Sequence, residues 1–313
     1  MTWQKAVFIV LILFCLSPYG SPPVALALGL AMASTFGTPY PKLGGKPMKY
    51  LLQASVVLLG FGMNFGAVLK AGRDGVLFTI ATIFGTLIVG YFVGRALNVP
   101  SKTSSLISSG TAICGGSAIA AVAPAINAES DEISVSLGTV FVLNSIALFL
   151  FPIIGHGLDL TQLQFGVWSA IAIHDTSSVV GASSTYGPEA LAIATTVKLA
   201  RALWIAPLAL MFAYIYRDKT GTAKAKIAVP WFIFLFVGAT IVRSYAPVTV
   251  MIPSVFDALV NLAKAGMTVT LFLIGASLSR ETLRNVGIRP LLQGVLLWIA
   301  ISVVALVAVL RIL

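Results

Sequence analysis

Three short stretches carry chemically capable side chains in an otherwise apolar chain. Residues 170–181 read A-I-A-I-H-D-T-S-S-V-V-G, which sets His174, Asp175, Thr176, Ser177 and Ser178 between aliphatic flanks. Residues 195–207 read T-T-V-K-L-A-R-A-L-W-I-A-P. Their Lys198 and Arg201 are three apart and so share one helix face. Residues 108–128, S-S-G-T-A-I-C-G-G-S-A-I-A-A-V-A-P-A-I-N-A, add Cys114, Gly115, Gly116 and Ser117, with Ser108, Ser109 and Thr111 close by. Two cations against one carboxylate favour an anion as ligand. An arginine grips an oxyanion through two parallel N–H groups, and His174 is a group able to carry protons.

Neighbouring positions on a helix point about 100° apart, so His174 and Asp175 are not expected to pair with each other. Asp175 is expected to pair with Lys198 or Arg201. A static ion-pair network between helices is the competing reading of this cluster. A Na⁺ site would have to draw on backbone carbonyls at helix breaks, with Asn64 or Asn144. An enzyme built on Cys114 and His174 lacks a third catalytic group, and a free cysteine in apolar surroundings is inert. Neither enzymatic activity nor a cofactor is expected. With only Cys15 and Cys114 in the chain, neither a disulfide framework nor a cysteine metal site is expected.

The solvent explains why these few charges matter. Of 313 residues, 58% are hydrophobic and 10% charged, and the mean hydropathy is +0.99. Soluble domains carry about 25% charged residues, so this chain predicts an all-α integral membrane protein, a single transporter domain over 1–313. A formal net charge of +10 is then explained by basic loops on one side of a membrane, and no nucleic-acid partner is expected. Apolar runs lie near 5–17, 22–36, 50–69, 76–96, 103–126, 133–155, 162–185, 190–216, 228–244, 256–279 and 290–312. They predict about 10–11 transmembrane helices. The first is followed by S-P-Y-G rather than a small-x-small cleavage signal, so residues 1–21 read as a signal-anchor or an extra first helix.

If all eleven cross, thirteen basic residues collect on one side, from Lys5 to Arg289. Only Lys70, Arg73, Arg243 and Arg311 fall on the other, together with Glu129, Asp131, Glu132 and Glu189. The bias predicts a cytoplasmic N-terminus and an external C-terminus. Residues 49–75 and 264–290 look alike at an offset of 215, pairing Lys49 with Lys264, Leu58 with Leu273, Gly60 with Gly275 and Gly72 with Gly287. These segments are seven apart and so run oppositely, which predicts the inverted repeat of secondary transporters; chance likeness of two apolar helices, each followed by a Gly turn, is the alternative.

Gly115-Gly116 in mid-span weakens a continuous helix, and a break is tolerated in lipid only where freed backbone groups are buried or line a cavity. Close packing by small residues is the alternative. A-I-C-G-G-S-A-I-A-A aligns with A-I-H-D-T-S-S-V-V-G, which predicts a second discontinuous helix. By this count the two run in the same direction. They cannot then be inverted mates unless one is re-entrant.

G-T-A-I-C-G-G-S-A-I-A-A-V-A-P, I-H-D-T-S-S-V-V-G-A, V-K-L-A-R-A-L-W-I-A-P and V-P-W-F-I-F-L-F resemble, in this order, the YeiH family of bacterial inner-membrane proteins. The similarity runs from about residue 22 onward. The family carries the label of sulfate exporters, and the resemblance implies a distant relation to bile-acid/sodium symporters and Na⁺/H⁺ antiporters. In that family a glutamate often follows the equivalent histidine; here it is Asp175, one methylene shorter. The combined expectation is an exporter of a small anion, coupled to H⁺ or Na⁺, seated in the lipid bilayer, a homodimer being one assembly it allows. An anion channel and a Na⁺/H⁺-type exchanger are the rivals.

Overall fold

The computed structural model describes residues 3–17, 19–37, 39–40, 46–66, 69, 76–216, 231–245, 253–277 and 287–313. Gly72 and the basic residues at 42, 70–73, 217–226 and 280–284 lie outside them. Among the described residues every element is helical, as the composition predicts. Five stretches are long and apolar enough to cross a membrane: Phe78–Ala96, Asp131–Gly157, Pro188–Ile215, Ser254–Ser277 and Ile288–Ile312.

One group of helices comprises α1 (Trp3–Leu16), α2 (Pro22–Thr35), α3 (Lys46–Leu59, ending in a 3-10 turn at Gly60–Gly62), and two later elements. Those are α12 (Trp231–Tyr245) and α13 (Pro253–Ser277) once the intervening helices are numbered. Phe8 of α1 packs on Phe272 of α13 with ring centroids 5.2 Å apart. The repeated helices α3 and α13 lie side by side. A Cβ on Gly62 would touch Val260, and one on Gly266 would strike Ser55, so residue numbers rise along one helix as they fall along the other. The repeat's glycines are used reciprocally. Gly60 at the end of α3 admits the backbone of α12, where a Cβ would sit 2.7 Å from the Phe236 carbonyl; Gly275 of α13 admits the backbone of α2 at Leu26. Antiparallel mates with exchanged partners are what an inverted repeat requires.

The second group starts with α4 (Val76–Ala96) and α5 (Ser101–Ala112). In G-Y-F-V-G, Gly90 and Gly94 receive the Ser108 and Ser104 side chains of α5, which a Cβ at either glycine would overlap. Small residues four apart let helices approach closely where lipid gives no hydrophobic incentive to associate. After a bend at Ile113–Gly115 come α6 (Gly116–Val122) and a 3-10 turn at Ala123–Ile126. Then follow α7 (Ser130–Gly157), α8 (Gln162–Ala172), α9 (Thr176–Tyr186), α10 (Pro188–Ala202), α11 (Ile205–Ile215) and, after α12 and α13, α14 (Ile288–Ile312). Gln293 of α14 donates to the Ser104 hydroxyl at 2.8 Å and the Gly90 carbonyl at 3.2 Å, tying α4, α5 and α14 together.

Both interrupted segments turn back instead of passing through. Lys102 Nζ donates to the Asn127 carbonyl at 2.7 Å. Twenty-five residues of continuous helix would set these positions about 38 Å apart. A Cβ on Gly110 would lie 3.0 Å from the Ile119 side chain, so α5 and α6 are the arms of a hairpin. In the second segment Phe165 stacks on Tyr186 with centroids 3.8 Å apart, and Ser169 Oγ lies 3.1 Å from Ser183 Oγ. The Tyr186 hydroxyl closes the base on the Leu160 carbonyl at 2.6 Å. The α8 and α9 arms have 11 residues each, about 16 Å of helix and half a hydrocarbon core.

Helix α7 is the 28-residue strut between the hairpins. It starts beside the base of the first, where Ser136 Oγ reaches the Thr103 carbonyl at 3.4 Å. It ends beside the base of the second, where Gly155 faces Phe165 and Tyr186. The hairpins therefore enter from opposite sides. This removes the direction conflict in the sequence reading, because the segments are re-entrant and inverted. It also corrects one placement. Glu129, Asp131 and Glu132 lie at the start of α7, on the same side as Lys102, whereas the sequence count set them opposite. Among the described basic residues, Arg95 and Lys102 precede the tip of the first hairpin and keep the side that the sequence count gave them.

Candidate functional site

The two hairpin tips meet against the middle of α7. Gly115 has φ +65° and ψ −125°, backbone torsions that favour glycine. A Cβ there would lie 3.2 Å from Val140 and 3.5 Å from the Asp175 Cα. Asn144 of α7 holds the second tip: its Oδ1 accepts the His174 N–H at 3.0 Å and the Asp175 N–H at 3.3 Å. These are backbone donors that the interrupted helix leaves free.

Helix α10 supplies the two cations. Lys198 Nζ donates to the Ile173 carbonyl at 2.7 Å, at the end of α8. Arg201 Nη2 donates to the Ala112 carbonyl, the last of α5, and its Nη1 donates to the Thr82 hydroxyl at 2.8 Å. Each cation thus meets the negative end of a half-helix, where free carbonyls and the helix dipole favour positive charge. Both side chains are fully buried.

Asp175 does not pair with either base, contrary to the expectation from sequence; among the described residues the partners of its carboxylate are in its own hairpin. As N-cap of α9 it accepts from the Ser177 hydroxyl, the Ser178 N–H at 3.2 Å and the Ser178 hydroxyl at 3.3 Å. A short carboxylate at the start of a helix reaches the first-turn donors without leaving its own backbone. Lys198 and Arg201 are meanwhile held by carbonyls. The static ion-pair network therefore does not form among these residues.

Several fully buried polar atoms at the tips and on α10 have no hydrogen-bond partner among the described residues: Thr111 Oγ1, Asn144 Nδ2, both ring nitrogens of His174, Thr195 Oγ1 and Arg201 Nε. Asn144 Nδ2 and Arg201 Nε can only donate, and the hydroxyls and one imidazole nitrogen can donate as well. An unmet buried donor costs about 1–3 kcal/mol, so the cluster is suited to a ligand rich in acceptor oxygens. Two of the backbone carbonyls at the breaks, those of Ala112 and Ile173, are already engaged by the two cations.

All the sequence-predicted site residues fall at the tips or on the adjoining face of α10. Cys114, Gly115, His174, Ser177, Ser178, Lys198 and Arg201 are buried; Gly116, Asp175 and Thr176 are half-buried and Ser117 is exposed. The tips are thus open along the starts of α6 and α9 and closed against α7 and α10. Sequence reasoning missed Thr82, Thr195 and the true part of Asn144. A lone amide in the middle of a 28-residue apolar helix is the signal for Asn144, which the sequence offers only beside Asn64 as a ligand that a Na⁺ site would need. A threonine in a membrane helix satisfies itself on the preceding turn, so Thr82 carries no such signal.

The family model described as Conserved hypothetical protein 698 matches residues 16–294. A UPF0324 membrane protein of Bacteroides thetaiotaomicron is 54% identical over 287 residues, 91% of this chain and 85% of the relative. One of Porphyromonas gingivalis is 56% identical over 293 residues, 93% of this chain and 88% of the relative. One of Geobacter sulfurreducens is 49% identical over 305 residues, 97% of this chain and 96% of the relative. No solved structure matches the chain.

Proposed function

We propose, from the premise that this chain belongs to the Conserved hypothetical protein 698 family, the YeiH or UPF0324 membrane proteins, that it is a secondary transporter exporting a small anion across the bacterial inner membrane. The observation that carries this reading is the cluster of unmet donors beside two buried cations where the opposed hairpin tips touch. A midplane site between inverted elements is where alternating-access carriers bind their cargo. Ionisable groups so deep in a membrane helix are costly and mark ion or substrate pathways.

The basic bias of the loops favours a cytoplasmic side holding the N-terminus and the base of the first hairpin, with the C-terminus in the periplasm. His174, with neither ring nitrogen engaged among the described residues, is the group we assign to proton coupling. Engagement of the Ala112 and Ile173 carbonyls weighs against a Na⁺/H⁺-type exchanger.

Flux into proteoliposomes tests the reading, with sulfate, sulfite, small sulfonates and small carboxylates offered in turn. The expected result is saturable, counterflow-competent uptake of one class that Arg201→Gln abolishes while cooperative melting persists. A non-saturating conductance would make the protein a channel. Sodium-driven proton movement without anion flux would make it an exchanger.

A further inference from the structure

A cavity of about 880 Å³ lies between α4, α5 and α11, next to the first hairpin. Its walls differ in chemistry. The α4 side presents Phe84, Ile88 and Phe92, and the α11 side presents Met211 and Phe212. The α5 side presents hydroxyls, of which Ser101 and Ser105 both meet the Tyr216 hydroxyl, at 2.8 and 3.0 Å. Arg95, exposed at the end of α4, stands at the rim. Ser108, also in the lining, is one helical turn from Ala112, whose carbonyl Arg201 holds. The cavity thus runs from the basic side of the protein along the outer arm of the hairpin toward the tips.

We infer that this cavity is a loading site for an organic anion, one with an apolar, preferably aromatic body and a single oxyanion head, and that Arg95 captures the head. The inference deepens the proposed export function and rests on it for the meaning of loading. Pockets of about 300–1,000 Å³ accommodate drug-sized molecules through mostly apolar walls and a few polar groups that fix orientation. An inorganic oxyanion would fill a small part of this space and set its charge against phenyl rings. An aryl sulfonate or carboxylate lays its ring between α4 and α11 and turns its oxygens to Arg95 and the hydroxyls. A guanidinium meets such a head through charge-assisted hydrogen bonds, and its place at the rim gives the site its sign.

The test is a thermal-shift titration of the whole protein in phosphatidylcholine nanodiscs, with naphthalene-2-sulfonate, methanesulfonate and sulfate as probes. Naphthalene-2-sulfonate raises Tm saturably, the other two act at least about tenfold more weakly, and Arg95→Gln weakens the naphthalene probe about tenfold. Arg95 is exposed, so this variant folds; Met211→Trp, which fills the cavity, gives an independent loss. Equal stabilisation by sulfate, or loss of the shift in Arg201→Gln but not in Arg95→Gln, overturns the inference. So does abolition of the shift by phosphatidylglycerol in the discs, which would make the cavity a lipid seat. Arg95-dependent binding in a protein that moves no anion leaves the cavity assigned and removes the transport reading instead.

Discussion

Gly115 and Asp175 touch across the midplane of the protein, one from each re-entrant hairpin, with 3.5 Å between a Cβ built on the glycine and the Asp175 Cα. The contact joins two elements that enter from opposite sides, so each tip forms part of the other's wall. A midplane site built in this way can be opened from either side by moving one hairpin while the other stays. The physical requirement is that neither tip carry bulk where they meet.

Gly115→Ala tests that requirement. The residue would have to hold φ +65° and ψ −125° with its methyl 3.2 Å from Val140. Strained torsions of this kind cost about 1–3 kcal/mol. The expected outcome is a fall in Tm on the order of 5 °C, with flux reduced further than stability alone explains. Gly85→Ala is the control: a Cβ at Gly85 meets nothing within 4 Å, and alanine suits a helix better. A wild-type melting profile in Gly115→Ala would mean that the bend relaxes freely.

Asn144 separates support from chemistry. Asn144→Leu strips two buried N–H groups, those of His174 and Asp175, of their acceptor. The loss is expected at about 2–6 kcal/mol from the penalty for each unmet donor, read as a lower Tm and lost flux. Asn144→Asp restores an acceptor but adds negative charge at the tips. It should recover much of the stability while weakening any anion that occupies the site, seen as a raised half-saturating concentration. Equal flux defects in both variants would remove Asn144 from ligand binding and leave it as scaffolding.

Arg201 and Thr82 should behave as one unit. The guanidinium spans from the Thr82 hydroxyl at 2.8 Å to the Ala112 carbonyl, linking α4 to the first hairpin through α10. Thr82→Val alone is expected to cost about 1 kcal/mol. In an Arg201→Gln background the same change should cost nearly nothing, giving a coupling energy of about 0.5–3 kcal/mol in a double-mutant cycle. Additive losses would show that the two residues act separately.

Much of this structure is legible in the sequence. Low charge and high hydropathy dictate a membrane fold. The segments near 103–126 and 162–185 declare their interruptions through Gly115-Gly116 and through His174-Asp175. Lys198 and Arg201 declare their shared face by spacing. Two things were not legible. A hairpin of two half-length arms has the length and hydropathy of one full crossing, so composition cannot tell them apart. The partner of Asp175 was misjudged because charge bookkeeping ranks opposite side-chain charges first, whereas at a broken helix the backbone itself presents charge. The carbonyls of Ala112 and Ile173 outcompete the carboxylate for the two bases, and the first turn of α9 keeps Asp175 at home.

The re-entrant topology makes a prediction that a through-going chain contradicts at two of the four positions tested. The native residues Cys15 and Cys114 are buried, so the wild-type protein is expected to react little with polar thiol reagents and serves as the background. Arg95, Asp131, Asp159 and Glu189 are all exposed, so each can be replaced singly by cysteine without disturbing the interior. Because the first hairpin returns to its own side, Arg95→Cys and Asp131→Cys should react from the same face. Because the second does likewise, Asp159→Cys and Glu189→Cys should both react from the other. With the basic side in the cytoplasm, an impermeant reagent labels only the latter pair in intact cells and all four after permeabilisation. If each interrupted segment crossed, Asp131→Cys would label from outside and Asp159→Cys from inside, reversing both results while leaving Arg95 and Glu189 unchanged. The pair at 131 and 159 therefore decides whether the tips meet as two opposed hairpins or as two passing helices.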